Sequence, residues 1–346
     1  MVRRKQSQFN KLLKLGIRHF DELIHDQPKE WLIKHFKKGA DEYPVNVAML
    51  IRNVIWQTRE RIIKKTREPI TELLRTFWYM YVKSTLARAG ALSKTRDQYA
   101  DMIEQFVFLV MKQKIMKYND FGFRDENAPS RKVGINAYVI LFAEKSGHVS
   151  FLEEMHQQYQ ISTIALGGQP GALTSEYFVR SLKEKGVNLQ RSFFLFDIVD
   201  YDTSGWIISN AFINNLKDLG IKSIRCQHLV TPDMLTPEEM KLAKYPIRDS
   251  KKTHKKNIDW LKKIKAEKYN NQKYLNPAQQ ARSKIYYGLL AESVSTKRFH
   301  EKLKKIMVPL LGKNEQVLNI HFLEELHQAL FEMTSIKVLQ EVRRRK

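Results

Sequence analysis

Phe193-Phe194-Leu195-Phe196-Asp197-Ile198-Val199-Asp200-Tyr201-Asp202-Thr203-Ser204-Gly205-Trp206 is the stretch that decides the fold of this 346-residue chain. Its apolar opening reads as a buried strand. Two carboxylates then follow two residues apart, Asp200 and Asp202, a spacing that projects both the same way at a strand's C-terminal end. Oxygen ligands gathered in a crevice at strand ends are how a protein holds a hard divalent cation. Gly205 lets a backbone or a phosphate approach closely. An Asp-x-Asp pair alone also serves as an acidic turn closing a strand, so the metal reading rests on a further carboxylate in the same setting.

Glu144 supplies that carboxylate. It follows Ala137-Tyr138-Val139-Ile140-Leu141-Phe142-Ala143, an apolar and partly β-branched run, and precedes Lys145-Ser146-Gly147 and a helical stretch over residues 151–159. A second strand-turn-helix unit runs from residues 161–166 through Gly167-Gly168-Gln169-Pro170-Gly171 to a helix over 173–185. The third is the Phe193 strand with a helix over 207–219, and a fourth strand covers 223–230. Alternating strands and helices predict an α/β fold, a parallel sheet covered on both faces. Its strand C-termini would bring Glu144, Asp200 and Asp202 together.

A glutamate after the first strand and Asp-x-Asp after the third resembles a Toprim domain, the Mg-binding fold of topoisomerases, primases and related nucleases. The turn Gly167-Gly168-Gln169-Pro170 is similar to the one between those motifs in the A subunit of topoisomerase VI. Asp202-x-x-Gly205-Trp206 is also similar to that subunit and to its meiotic relative. Val230-Thr231-Pro232-Asp233-Met234-Leu235-Thr236-Pro237-Glu238 looks like the segment that follows Toprim in that family. The resemblance covers residues 135–248. It implies Mg²⁺ held by Glu144, Asp200 and Asp202, with Asp197 behind them and Gly168, Pro170 and Gly205 shaping the site.

The same family attacks DNA with a tyrosine in a winged-helix domain upstream of Toprim, in an Arg-Asp-aliphatic-aromatic-Tyr motif. This chain has Arg75-Thr76-Phe77-Trp78-Tyr79, with the arginine and tyrosine correctly spaced, a threonine in place of the aspartate, and a bulkier Phe77-Trp78. Asp97-Gln98-Tyr99-Ala100-Asp101 resembles the segment after the family's tyrosine. The resemblance implies Tyr79 as nucleophile, with Tyr81 its competitor. Unperturbed tyrosine titrates near pH ~10, so a phenolate nucleophile needs a cation. Arg75, four residues before Tyr79, shares its helix face and could hold the phosphate through two hydrogen bonds. A plain alternative makes Tyr79 part of an aromatic core stripe with Leu73, Leu74, Phe77 and Trp78.

Composition agrees with a nucleic-acid partner: 60 Lys and Arg stand against 37 Asp and Glu, a net charge of +23. Such an excess gives salt-sensitive, sequence-independent phosphate binding. Basic clusters include Lys64 and Lys65, and the densest run, Lys251, Lys252, Lys255 and Lys256 within 251–268, reads equally as a DNA contact or a solvated helix face. Cys226 is alone, which excludes an internal disulfide. No apolar run approaches the ~20 residues of a membrane span. The basic start lacks an apolar block, so a cytoplasmic, nucleoid-associated protein is expected.

The expected organisation is a helical extension over residues 1–45, a mostly helical winged-helix domain over 46–132, the Toprim sheet over 133–248, and a basic helical part over 249–346. Helices are expected over 45–64, 68–87, 95–117, 277–293, 296–311 and 319–342, and wing strands near 115–118 and 122–124. No Walker-type phosphate loop or ATP-lid pattern occurs. The resemblance therefore implies the cleaving half of a type IIB topoisomerase: a homodimer on double-stranded DNA, paired with a GHKL-type ATPase B subunit. One alternative is a Toprim nuclease of the plasmid-defence kind, in which metal-activated water cuts and nothing is resealed. The other is a non-catalytic DNA-binding homologue.

Overall fold

A computed structural model describes residues 10–37, 42–125, 127–168, 171–275 and 286–311. The chain forms two compact units, residues 1–126 with 172–177, and residues 127–171 with 178–346. Pro170 and the expected helix over 319–342 lie outside the described residues. Among the described residues no helix is long and apolar enough to cross a membrane.

The first unit is helical: α1 (Lys29–His35), α2 (Val47–Ile63), α3 (Leu74–Phe77), α4 (Ser84–Arg88) and α5 (Tyr99–Val107). A π-helical stretch, Trp78–Lys83, joins α3 to α4, and another, Phe108–Lys112, continues α5. The expected helix over 68–87 starts only at Leu74, because Pro69 keeps the preceding residue out of the helical region and residues 70–72 are engaged elsewhere. Ile70 N–H donates to the Phe121 carbonyl at 2.7 Å and Arg124 N–H to the Glu72 carbonyl at 3.0 Å. Phe77, Phe106, Phe121 and Phe123 pack around this junction with ring centroids 5.1–6.2 Å apart.

The wing strands expected at 115–118 and 122–124 are not formed. Tyr118–Asp120 is a 3₁₀ turn instead. The buried carboxylate of Glu176 accepts the N–H groups of Tyr118 and Asn119, both at 3.0 Å, and Gly122 adopts φ +80°. Those two donors are spent on the turn rather than on a ladder.

The second unit holds the parallel sheet. Strands β1 (Asn136–Ala143), β2 (Ile161–Ala165), β3 (Ser192–Ile198) and β4 (Ser223–His228) are ordered β2-β1-β3-β4, every neighbour parallel. Between them run α6 (Val149–Tyr159), α7 (Ala172–Glu184) and α8 (Thr203–Asp218). Alternate side chains of β1 enter opposite cores. Val139, Leu141 and Ala143 pack with Phe151, Leu152 and Met155 of α6. Ile140 and Phe142 pack with Phe178 and Leu182 of α7 and Phe212 and Leu216 of α8. Burial on both faces is why the strand reads as an unbroken apolar run rather than an alternating one.

Downstream come α9 (Pro237–Ala243), β5 (Lys244–Ile247), α10 (His254–Ala266), β6 (Tyr286–Leu289) and α11 (Thr296–Leu311). β5 and β6 form an antiparallel pair. The helix expected over 277–293 is therefore corrected where it is described: residues 286–289 are a strand and Ala291–Ser293 a 3₁₀ turn.

Candidate active site

Glu144 is the first residue past β1, and Asp200 the second past β3. Ala143 faces Ile198 in the parallel register, and the Glu144 N–H extends that pairing to the Ile198 carbonyl at 3.1 Å. After β1 the chain lays β2 on one side and then β3 on the other. The strand order thus reverses between β1 and β3, and the crevice outside such a reversal is where open parallel sheets bind ligands. Glu144 and Asp200 stand on its two lips.

Asp202 caps the N-terminus of α8, its Oδ1 accepting the Gly205 N–H at 2.7 Å, while the Tyr245 hydroxyl donates to Oδ2. Burial pushes the Asp202 carboxyl above the usual carboxylate range, and the bond from Tyr245 works against that rise. Burial, with Asp200 as the next cause, likewise raises the Glu144 carboxyl. Glu144 Oε2 is buried and has no hydrogen-bond partner among the described residues. Lys145 Nζ donates to Asp200 Oδ1 at 3.1 Å and to Glu292 Oε2 at 2.8 Å.

The turn between β2 and α7 reaches the same place. Gly167 and Gly168 adopt φ +66° and +108°, which favours glycine, and Gly168 N–H donates to the Glu144 carbonyl at 2.7 Å. A wall that sequence reasoning missed closes another side. Tyr201 and Leu289 exchange backbone bonds of 2.8 and 3.2 Å, laying β6 against the acidic turn. A Cβ on Gly288 would stand 2.9 Å from the Asp202 Cβ. The aromatic, β-prone Tyr286-Tyr287-Gly288-Leu289 was the available signal, and Glu292 arrives with it.

Asp197 is fully buried within β3 and belongs to a different network. It accepts the Ser209 hydroxyl at 2.6 Å and the His228 Nδ1–H at 2.8 Å. Lys263 of α10 donates to His228 Nε2 at 2.8 Å, which fixes the ring proton on Nδ1. This chain ties α10 to the edge strand β4. Along α10, Asn257, Trp260, Leu261 and Ile264 face inward, and Lys255 and Lys256 are exposed, as are Lys251 and Lys252 just before it.

In the first unit, Phe77 and Trp78 are buried, but Tyr79 is 49% exposed. The core-stripe reading of Tyr79 is thereby excluded. Its ring lies 5.9 Å from the Arg75 guanidinium and 4.9 Å from Lys83 Nζ. A hydrogen bond to the Tyr79 phenol is the first cause holding the Arg75 guanidinium above its ordinary pKa. Arg75 also reaches Asp97 at 3.6 Å and covers the Tyr99 ring. Tyr81 is half-buried, its ring 4.2 Å from Arg67 and 5.1 Å from the His25 ring. Lys64 and Lys65 are exposed at the end of α2, where Lys64 pairs with Glu60 at 3.5 Å.

The donor chemistry suits a hard cation. Mg²⁺ is held through one or two carboxylates together with phosphate oxygens, and Glu144 offers a buried oxygen with no partner among the described residues. Among the described residues no three His, Cys, Asp or Glu side chains form a finished coordination set. No protein-family model matches the chain, and no curated protein matches it.

Proposed function

We propose that this chain is the DNA-cleaving subunit of a type IIB topoisomerase-like enzyme, its second unit a Toprim domain and its first unit the carrier of the attacking tyrosine. The observation that carries the reading is the placement of Glu144 and Asp200 on the two lips of the crevice where the strand order reverses. Mg²⁺ bound there would neutralise charge on the scissile phosphate and the leaving oxygen. Tyr79 attacks phosphorus as the phenolate. The P–O bond to the 3′ oxygen breaks, the 3′ hydroxyl leaves with a proton, and a 5′-phosphotyrosine ester stores the bond for resealing. Arg75, beside the exposed phenol, binds the phosphate oxygens. Asp202 positions the turn by capping α8, and Gly168 braces Glu144. The topoisomerase VI resemblance adds a homodimer, in which one tyrosine cuts each strand, and a GHKL-type ATPase partner.

The test is a denaturing trap. The protein is mixed with supercoiled plasmid and Mg²⁺, with and without candidate ATPase subunits, then quenched in detergent. Protein covalently attached to 5′ ends, absent from Tyr79→Phe and Asp200→Ala, is the expected result. Free ends that survive Tyr79→Phe but not Asp200→Ala would replace the reading with a Toprim nuclease. One observation favours that second reading: the wing strands expected at residues 115–118 and 122–124 are not formed.

A further inference from the structure

Lys145 occupies the place of a cation. Its Nζ lies 3.1 Å from each oxygen of Asp200 and 2.8 Å from Oε2 of Glu292. An ammonium equidistant from both oxygens of one carboxylate and bonded to another bridges them as a metal ion would. Asp200 Oδ1 also accepts the Ala291 N–H at 2.8 Å, so the turn that carries Glu292 is fastened to the same carboxylate. Lys145 directly follows Glu144, whose buried Oε2 has no partner among the described residues. Lys145 thus hydrogen-bonds Asp200 and Glu292, while its charge acts on Glu144 only through space. Mg²⁺ sits ~2.1 Å from its oxygens, and an ammonium seated on both oxygens of Asp200 leaves no room for it. The side chains of Lys145 and Glu292 are 34% and 53% exposed, which leaves the ammonium free to turn outward.

We propose that Lys145 is a tethered counter-ion that gates this centre, competing with a divalent cation for Asp200, and that Glu292 keeps the displaced ammonium at the rim. The inference rests on the metal reading of the site. It makes the metal-free centre stable without solvent ions, and it sets a threshold of cation concentration below which Asp200 stays neutralised by the chain itself.

The experiment is a calorimetric titration of the whole chain with Mn²⁺ in the absence of DNA, for wild type, Lys145→Met, Lys145→Arg and Asp200→Asn. Thermal unfolding serves as the check on folding. Removing one competing charge predicts binding about tenfold tighter or more in Lys145→Met. Lys145→Arg, which keeps the charge, gains nothing, and Asp200→Asn abolishes the heat. Equal affinity in wild type and a folded Lys145→Met overturns the gate and leaves the metal reading standing, and so does weaker binding in Lys145→Met. Binding by none of the four proteins removes the metal reading and the gate together. Tighter binding in Lys145→Arg as well would show that shape rather than charge was the obstacle, and would overturn the counter-ion.

Discussion

Gly205 lies so close to Asp200 that a Cβ on it would stand 2.1 Å from the Asp200 carbonyl oxygen. The approach closes a compact turn, in which Asp202 N–H bonds the Asp200 carbonyl at 2.9 Å and Asp202 Oδ1 caps the Gly205 N–H. Backbone, not a flexible side chain, is what a methyl would strike. Gly205→Ala is therefore expected to destabilise the second unit by about 2–4 kcal/mol, read as a lower urea midpoint with unchanged slope. An unchanged midpoint would mean that the turn has slack.

Tyr79 carries a cation on each side, four residues before and four after. Arg75 was legible from its motif. Lys83 was not read, although its four-residue spacing from Tyr79 is the one that places Arg75, and the π-helical stretch Trp78–Lys83 keeps it beside the ring. A cation over an exposed ring is worth about 0.5–1 kcal/mol, so Lys83→Ala should slow formation of the proposed covalent adduct about two- to fivefold with folding unchanged. Rates equal to wild type would mean that Lys83 takes no part in the proposed attack.

What could be read from the sequence follows the physics of each element. β1 and β3 are buried on both faces, so their apolar runs are continuous and their acidic ends stand out. The places of Glu144 and Asp200 at the strand ends were legible for that reason, whereas Asp202 caps α8. β6 was not: its four residues take their register from Tyr201, 88 positions upstream of Leu289, and from β5. Tertiary partners decide short strands more than propensity does. Glu292 and the role of Lys145 were hidden with it. The missing wing strands are the converse case, where a tertiary carboxylate, Glu176, captured the donors of a segment expected to form a ladder.

Glu144 should give the fold a pH signature. Burial raises its carboxyl above the ordinary range, so the folded state binds its proton more tightly than the unfolded chain. That contribution is full below the unfolded pKa, ~4.3, and is lost as pH rises through the folded value. Glu144→Gln removes the charge and keeps the shape. Its urea midpoint should exceed that of wild type at pH 7, and the difference should shrink towards pH 4. A difference constant across that range would mean that the carboxylate is not penalised by its site.

The lysines around α10 separate two uses of charge. Lys263 is turned inward onto His228, whereas Lys251, Lys252, Lys255 and Lys256 project from the outer side. An exposed cation that contacts a DNA phosphate releases a counter-ion, and each contact adds about 0.9 to the slope of log affinity against log salt. Replacing the four outer lysines with alanine should therefore lower that slope by about 3 to 4 and weaken binding at every sequence alike. Stability should hardly move, because the buried stripe of Trp260, Leu261 and Ile264 is untouched. Lys263→Ala should do the reverse, lowering stability while leaving the slope in place. If the fourfold variant binds with the wild-type slope, the run is a solvated helix face, and the proposed DNA contact would have to lie on other basic surfaces such as Lys64 and Lys65.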